Sequence, residues 1–177
     1  MNELFTEDFD FEEEDEITSF PCIWGVDEVY TVVDVEFSDD KRLSEDNFDE
    51  YLPLINSTLS WLDENKAAFE KALIDGKALE LAQVWAASLD IVTIDGVENV
   101  DFGEEKIPLP ISAHDFFAAL EISGIALEIE EKTVGGEVIA EVYLGVYLVT
   151  EPDFFSGHSL ELSVSPDKKI EFMGLVG

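Results

Sequence analysis

The sequence predicts an α+β fold: an antiparallel sheet, built from a C-terminal meander of about four strands plus N-terminal strands, packed on one face by about four helices. Three observations predict it. Apolar and polar residues alternate with a period of two through most of the last third of the chain. Apolar residues recur every three or four positions between Phe48 and Leu62. The chain is 46% hydrophobic over 177 residues, with 13 Phe and three Trp, which is enough apolar material for a core at this length.

In chain order, residues 1–16 carry Glu3, Glu7, Asp8, Asp10, Glu12, Glu13, Glu14, Asp15 and Glu16 with no base, and Phe5, Phe9 and Phe11 are interleaved among them. Blocks of like charge are usually solvated tails, but three aromatics favour partial docking, so residues 1–17 read as a partly ordered acidic segment. Residues 18–177 read as a single α+β domain. Residues 20–37 are rich in β-branched and aromatic residues, and Val33, Val35 and Phe37 alternate with Asp34 and Glu36, a strand signature. Gly25 is expected at a bulge or turn between two short strands, and 38–47 as a loop.

Ser44 is a candidate N-cap. Phe48, Leu52, Ile55, Leu59 and Leu62 share one helix face, with Pro53 suited to a first turn. Asp63 is a candidate cap for a second helix through Leu73, which Asp75-Gly76 would end with Gly76 in the left-handed position. A third helix is expected over 77–88. Leu89-Asp90-Ile91-Val92-Thr93-Ile94 suggests a short strand, and 95–110 reads as loop. Ser112 followed by Asp115 resembles a capping box opening a helix over 113–121. The meander then runs through 125–130, the Gly135-Gly136 turn, 138–149, 159–163, the Ser165-Pro166-Asp167-Lys168 turn and 170–176.

There are 42 Asp plus Glu against nine Lys plus Arg, a net charge of -33. Such a surface repels nucleic acid, whose binding depends on Lys and Arg neutralising phosphates, and repels anionic membranes. It attracts basic proteins and speeds their encounter. No nucleic-acid or membrane partner is therefore expected, and self-repulsion favours a monomer or weak homodimer. The same repulsion works against compaction. The melting temperature should rise as salt is raised from low to physiological levels; a fall would contradict this.

One cysteine, Cys22, excludes an intramolecular disulfide and fits a reducing cytoplasm, where it reads as a small buried hydrophobe rather than a nucleophile. The first 16 residues lack the basic and apolar regions of a secretory signal. No catalytic site, cofactor or metal is expected. Gly-x-Ser-x-Gly, GxxxxGK[ST] and GxGxxG are all absent, and one Cys with two scattered His cannot form a structural zinc site. Asp8, Asp10 and Glu12 imitate the start of an EF-hand loop, but Glu13 and Ser19 occupy the positions that need Gly and an acid. His114 reads as a surface residue. His158, in Gly157-His158 at the start of a strand, has two readings: a base near neutral pH, or a ring that bonds backbone and fixes a turn.

Phe155-Ser156-Gly157-His158-Ser159-Leu160-Glu161-Leu162, a polar turn, and Phe172-Met173-Gly174-Leu175-Val176-Gly177 resemble the ending of a group of uncharacterised bacterial domains. These close with an aromatic-x-Gly-His step into a strand, a turn and a last strand ending in Gly. The capped helix with paired aromatics at Phe116-Phe117 and the helix around Trp85 are also similar. The similarity covers about residues 60–177, with Ser156 standing where a bulkier residue is expected. Some members of the group are immunity proteins of bacterial toxin systems. The resemblance implies structural roles for Gly157, His158 and Gly177 and no catalytic residue.

Together these features read as a cytoplasmic acidic protein-binding module, of the immunity type, for a basic partner such as a nuclease toxin. The expected contacts are Glu7, Asp8, Asp10, Glu12, Glu13, Glu14, Asp15, Glu16, Asp39, Asp40, Glu45 and Asp46. The alternatives are an enzyme centred on His158, or an adaptor whose acidity serves only solubility.

Overall fold

A computed structural model describes residues 3–11, 19–26, 29–37 and 45–177. The fold is α+β. Its elements are a 3-10 turn at Thr6–Asp8, β1 (Ser19–Val26), β2 (Val29–Phe37), α1 (Glu45–Phe48), α2 (Leu52–Glu64), α3 (Lys66–Asp75), α4 (Ala78–Ala86), β3 (Ile91–Ile94), β4 (Val97–Asp101), β5 (Lys106–Pro108), α5 (Ala113–Ala118), β6 (Leu120–Val134), β7 (Glu137–Thr150), β8 (Ser159–Val164) and β9 (Ile170–Val176). One sheet has the order β1-β2-β6-β7-β8-β9 and a second the order β3-β4-β5. The expected C-terminal meander is β6 to β9.

The first sheet is mixed rather than wholly antiparallel. β1 and β2 form an antiparallel hairpin, but β2 pairs with β6 in parallel, Val33 opposite Ile125 and Val35 opposite Leu127. A parallel pair needs a long crossover between its strands, and everything from α1 to α5 lies between these two. Gly25 does not separate two short strands. It lies inside β1, opposite Tyr30.

The chain forms two compact units, Met1–Lys66 with Gly124–Val146 and Ser163–Ile170, and Ala67–Ser123 with Tyr147–Leu162 and Glu171–Gly177. The expected boundary between an acidic segment and a domain, at residues 17 and 18, lies outside the described residues, as does Ser44.

In the first unit, the inward faces of the strands present Val33, Val35, Ile125, Leu127, Ile129, Val142, Leu144 and Val146, all buried. α1 and α2 supply Phe48, Ile55, Leu59 and Leu62, the face predicted from their spacing, also buried. Pro53 sits in the first turn of α2, where the missing N–H costs no hydrogen bond. Asp63 lies in the last turn of α2 rather than capping α3, and its carboxylate pairs with Lys66 at 2.9 Å. Tyr51 packs edge-on against Phe37 at 5.0 Å and donates its hydroxyl to Glu131 at 2.7 Å.

In the second unit, Ser112 caps α5, its hydroxyl accepting from the Asp115 N–H at 3.1 Å and donating to the Asp115 carboxylate at 2.6 Å. α5 ends at Ala118, so β6 begins sooner than the helix expected to 121 would allow. Residues 95–110, expected as loop, hold β4 and β5. Asp95 and Gly96 have φ of 51° and 82°, the pair of left-handed residues that a type I′ hairpin demands. Asp101 then closes the next turn, accepting from Lys106 and, at 2.8 Å, from the Gly103 N–H. The Lys106 bond comes first among the causes that hold the Asp101 carboxyl below the usual carboxylate range.

The link between α3 and α4 corrects another expectation. The left-handed residue is Lys77, with φ of 61°, not Gly76. Gly76 is required for space: a Cβ there would lie 2.4 Å from Phe172 Cδ1 and 2.8 Å from its Cβ. Gly76→Ala is expected to destabilise by about 1–3 kcal/mol through overpacking. The urea midpoint checks this, and Phe172→Ala in the same chain should recover part of the loss.

Candidate functional site

The first candidate lies in the first unit, where residues 3–11 of the acidic N-terminal segment are docked. Leu4 and Phe9 are buried there. Asn56 of α2 clamps the Leu4 backbone from both sides, accepting from its N–H at 2.9 Å and donating to its carbonyl at 2.8 Å. The Asp10 N–H donates to the Pro21 carbonyl of β1 at 2.9 Å, and Phe9 bridges Cys22. The rings of Phe9, Phe11 and Phe20 gather around Phe48 at 4.6, 5.1 and 5.8 Å. Edge-on aromatic packing of this kind stabilises beyond area burial alone.

The acids are left outside this anchor. Glu7, Asp8, Asp10, Glu45 and Asp46 are exposed. Asp8 accepts from the Phe5 N–H at 2.8 Å and so closes the 3-10 turn. Thr6 donates its hydroxyl to Asp49, just beyond α1. The Phe9–Phe48 contact and the Thr6–Asp49 bond bring the acids of the 3-10 turn beside those of α1. Glu45 and Asp46, expected in a loop, open that helix, where carboxylates complement its dipole. Glu12, Glu13, Glu14, Asp15, Glu16, Asp39 and Asp40 lie outside the described residues. Sequence reasoning includes Asp49 among the acids from Asp39 to Asp49 but misses Thr6 and Asn56. Only the second of two long-range partners identifies them, so no local pattern marks them.

Cys22 is buried beneath this segment. Burial first, and then the negative field of Asp8, push its thiol up from 9.0 to about 12. The fold therefore favours the neutral thiol. Its contribution to stability is fully present below the ordinary value of 9.0 and is lost as pH rises toward about 12. Only the thiolate is nucleophilic. At neutral pH, Cys22 should react with a disulfide reagent no faster than the protein opens, and at the free-thiol rate in denaturant. Rapid modification of the folded protein would contradict this.

The second candidate is the Gly157-His158 corner in the second unit. Thr150 and Asp153 build it: Thr150 Oγ1 accepts from the Phe154 N–H at 2.9 Å, Asp153 Oδ1 from the Phe155 N–H at 2.9 Å, and Asp153 Oδ2 from the Gly157 N–H at 2.7 Å. Such Asx bonds substitute for backbone turns. Ser156 and Gly157 are both left-handed, with φ of 53° and 88°. The His158 N–H donates to the Phe155 carbonyl at 3.2 Å, and its Nδ1 lies 2.9 Å from the same oxygen. The ring is half-buried and rests 5.0 Å from Trp85. Gly177 closes the corner, since a Cβ there would stand 3.4 Å from His158 Cα.

The His158 Nδ1 meets the Phe155 carbonyl, and no carboxylate bonds the ring among the described residues. Gly157, His158 and Gly177, singled out together in the sequence, meet here. Asp153 and Thr150 were missed, although an Asp two and four residues ahead of the N–H groups it accepts from is a readable turn signal. His114 is exposed at the start of α5. Among the described residues, no group of three or more His, Cys, Asp and Glu is placed to hold a metal ion, and no helix is long and apolar enough to cross a membrane.

Comparison with protein-family models, with curated proteins and with solved structures finds no match to this chain.

Proposed function

We propose that this chain is a cytoplasmic acidic protein-binding module of the immunity type, which captures a basic partner such as a nuclease toxin. One observation carries the reading: residues 3–11 are held in place by Leu4, Phe9 and Asn56, while Glu7, Asp8 and Asp10 stay exposed beside Glu45 and Asp46. A merely solubilising tail needs no anchor. An anchored acidic surface presents its charges in fixed positions, and fixed charges steer association and select partners. Nuclease clefts are positive because they hold phosphates, which makes such a protein a fitting target. The resemblance of residues 155–177 to domains found among immunity proteins points the same way.

The test is co-expression with a candidate basic nuclease toxin. The parent should protect cells. A variant carrying Glu7→Lys, Asp8→Lys, Asp10→Lys, Glu45→Lys and Asp46→Lys should not. All five residues are exposed, and circular dichroism checks that the variant folds, since Asp8 also closes the 3-10 turn. Equal protection by both would overturn the reading.

A further inference from the structure

The outward face of β1, β2 and β6 in the first unit has an uncovered apolar centre. The strand register defines it row by row. Ile23 stands opposite Val32, and Val32 beside Gly124. The next row is Pro21, Asp34 and Ala126, and the third ends in Glu36 beside Glu128. Ile23 is 65% exposed and Val32 51%. These are two β-branched residues directly paired across strands, not scattered ones. Gly124 lacks a side chain and Ala126 nearly so, which leaves the flank of Val32 open.

The polar groups of this face are unfinished. Asp34 Oδ1 is shielded from water and has no hydrogen-bond partner. A shielded oxygen without a donor is costly, and the cost disappears when a partner supplies one. Glu36 and Glu128, both exposed, are direct neighbours, and like charges so placed repel. Neither has a cationic partner among the described residues. Further along β6, Lys132 shows how this face is completed when a cation is present: it pairs with Glu130 at 3.1 Å and with Glu141 of β7 at 2.7 Å and lies over the Tyr143 ring at 5.7 Å.

We infer that this face is the anchoring surface for the basic partner, taking a Lys- or Arg-bearing surface whose apolar side chains cover Ile23 and Val32 while its cations reach Asp34, Glu36 and Glu128. The inference rests on the proposed function and adds the place where the complex is held. The N-terminal acids bring the partner in; this face gives it an apolar contact and three waiting carboxylates. The chain's own acidic segment is repelled from it by charge.

The test maps amide chemical shifts of the full chain while a synthetic peptide of alternating lysine and valine is added. Shifts at residues 22–23, 32–36 and 124–128 are expected. Ile23→Thr with Val32→Thr, both exposed sites where Thr suits a strand, should weaken binding about tenfold, whereas oligolysine affinity should not change. Shifts confined to residues 3–10 and 45–50 would overturn the inference and leave the proposed function standing. No binding to either peptide would overturn both. Concentration-dependent shifts of the same amides without peptide would put a second copy on this face and overturn the inference.

Discussion

Replacing Phe48 with alanine is expected to lower the unfolding free energy by about 3–5 kcal/mol. Phe48 is fully buried and is the hub of three ring contacts, to Phe9, Phe11 and Phe20. Truncation removes the shared partner of all three and leaves a cavity that rigid neighbouring rings fill poorly. At about 2–4 °C per kcal/mol for a chain of this size, the melting temperature should fall by about 10 °C. A second consequence is local. Phe9 and Phe11 lose their anchor, so the Asp10 N–H, bonded to the Pro21 carbonyl, should exchange with solvent faster. Phe5→Ala is the control. Phe5 is 53% exposed, and its loss should stay within about 0.5 kcal/mol.

Phe155→Ala is expected to have an effect of similar size, about 3–5 kcal/mol, in the second unit. The ring is fully buried and meets Trp85 edge-on at 6.4 Å. Its backbone is also the pivot of the Gly157-His158 corner, donating to Asp153 and accepting twice from His158. Calorimetry would read the loss. His158→Ala should cost less, because it removes one ring contact and one hydrogen bond, each of about 1 kcal/mol. A larger loss from His158→Ala than from Phe155→Ala would contradict the turn-fixing role.

These two residues show what was legible in the sequence. The β6–β9 meander was readable because period-two alternation marks a sheet with one buried face, and Val142, Leu144, Val146 and Leu148 are buried in turn. The α2 face and the Ser112 cap were readable for the same reason, each being a local pattern. β4 and β5 were not. Val97–Asp101 and Lys106–Pro108 are too short and too polar to alternate visibly, and the Asp95-Gly96 hairpin signal stands among other glycines. The parallel β2–β6 pairing has no local signature, since it joins residues about ninety apart. The sequence suggests backbone freedom as the reason for Gly76, whereas the reason is the Phe172 ring arriving from the far end of the chain. At the acidic site, the sequence supplied the charges. Their anchoring by Asn56 and Phe48 required the fold.

The central claim is that fixed acidic charges bring a basic partner to this chain. The association rate constant with a basic nuclease, followed from low to physiological ionic strength, tests this most directly. Electrostatic steering predicts a rate that falls about tenfold or more as salt screens the field, with the five-lysine variant slower throughout and flatter in its response. A rate indifferent to salt, and equal in parent and variant, would contradict it.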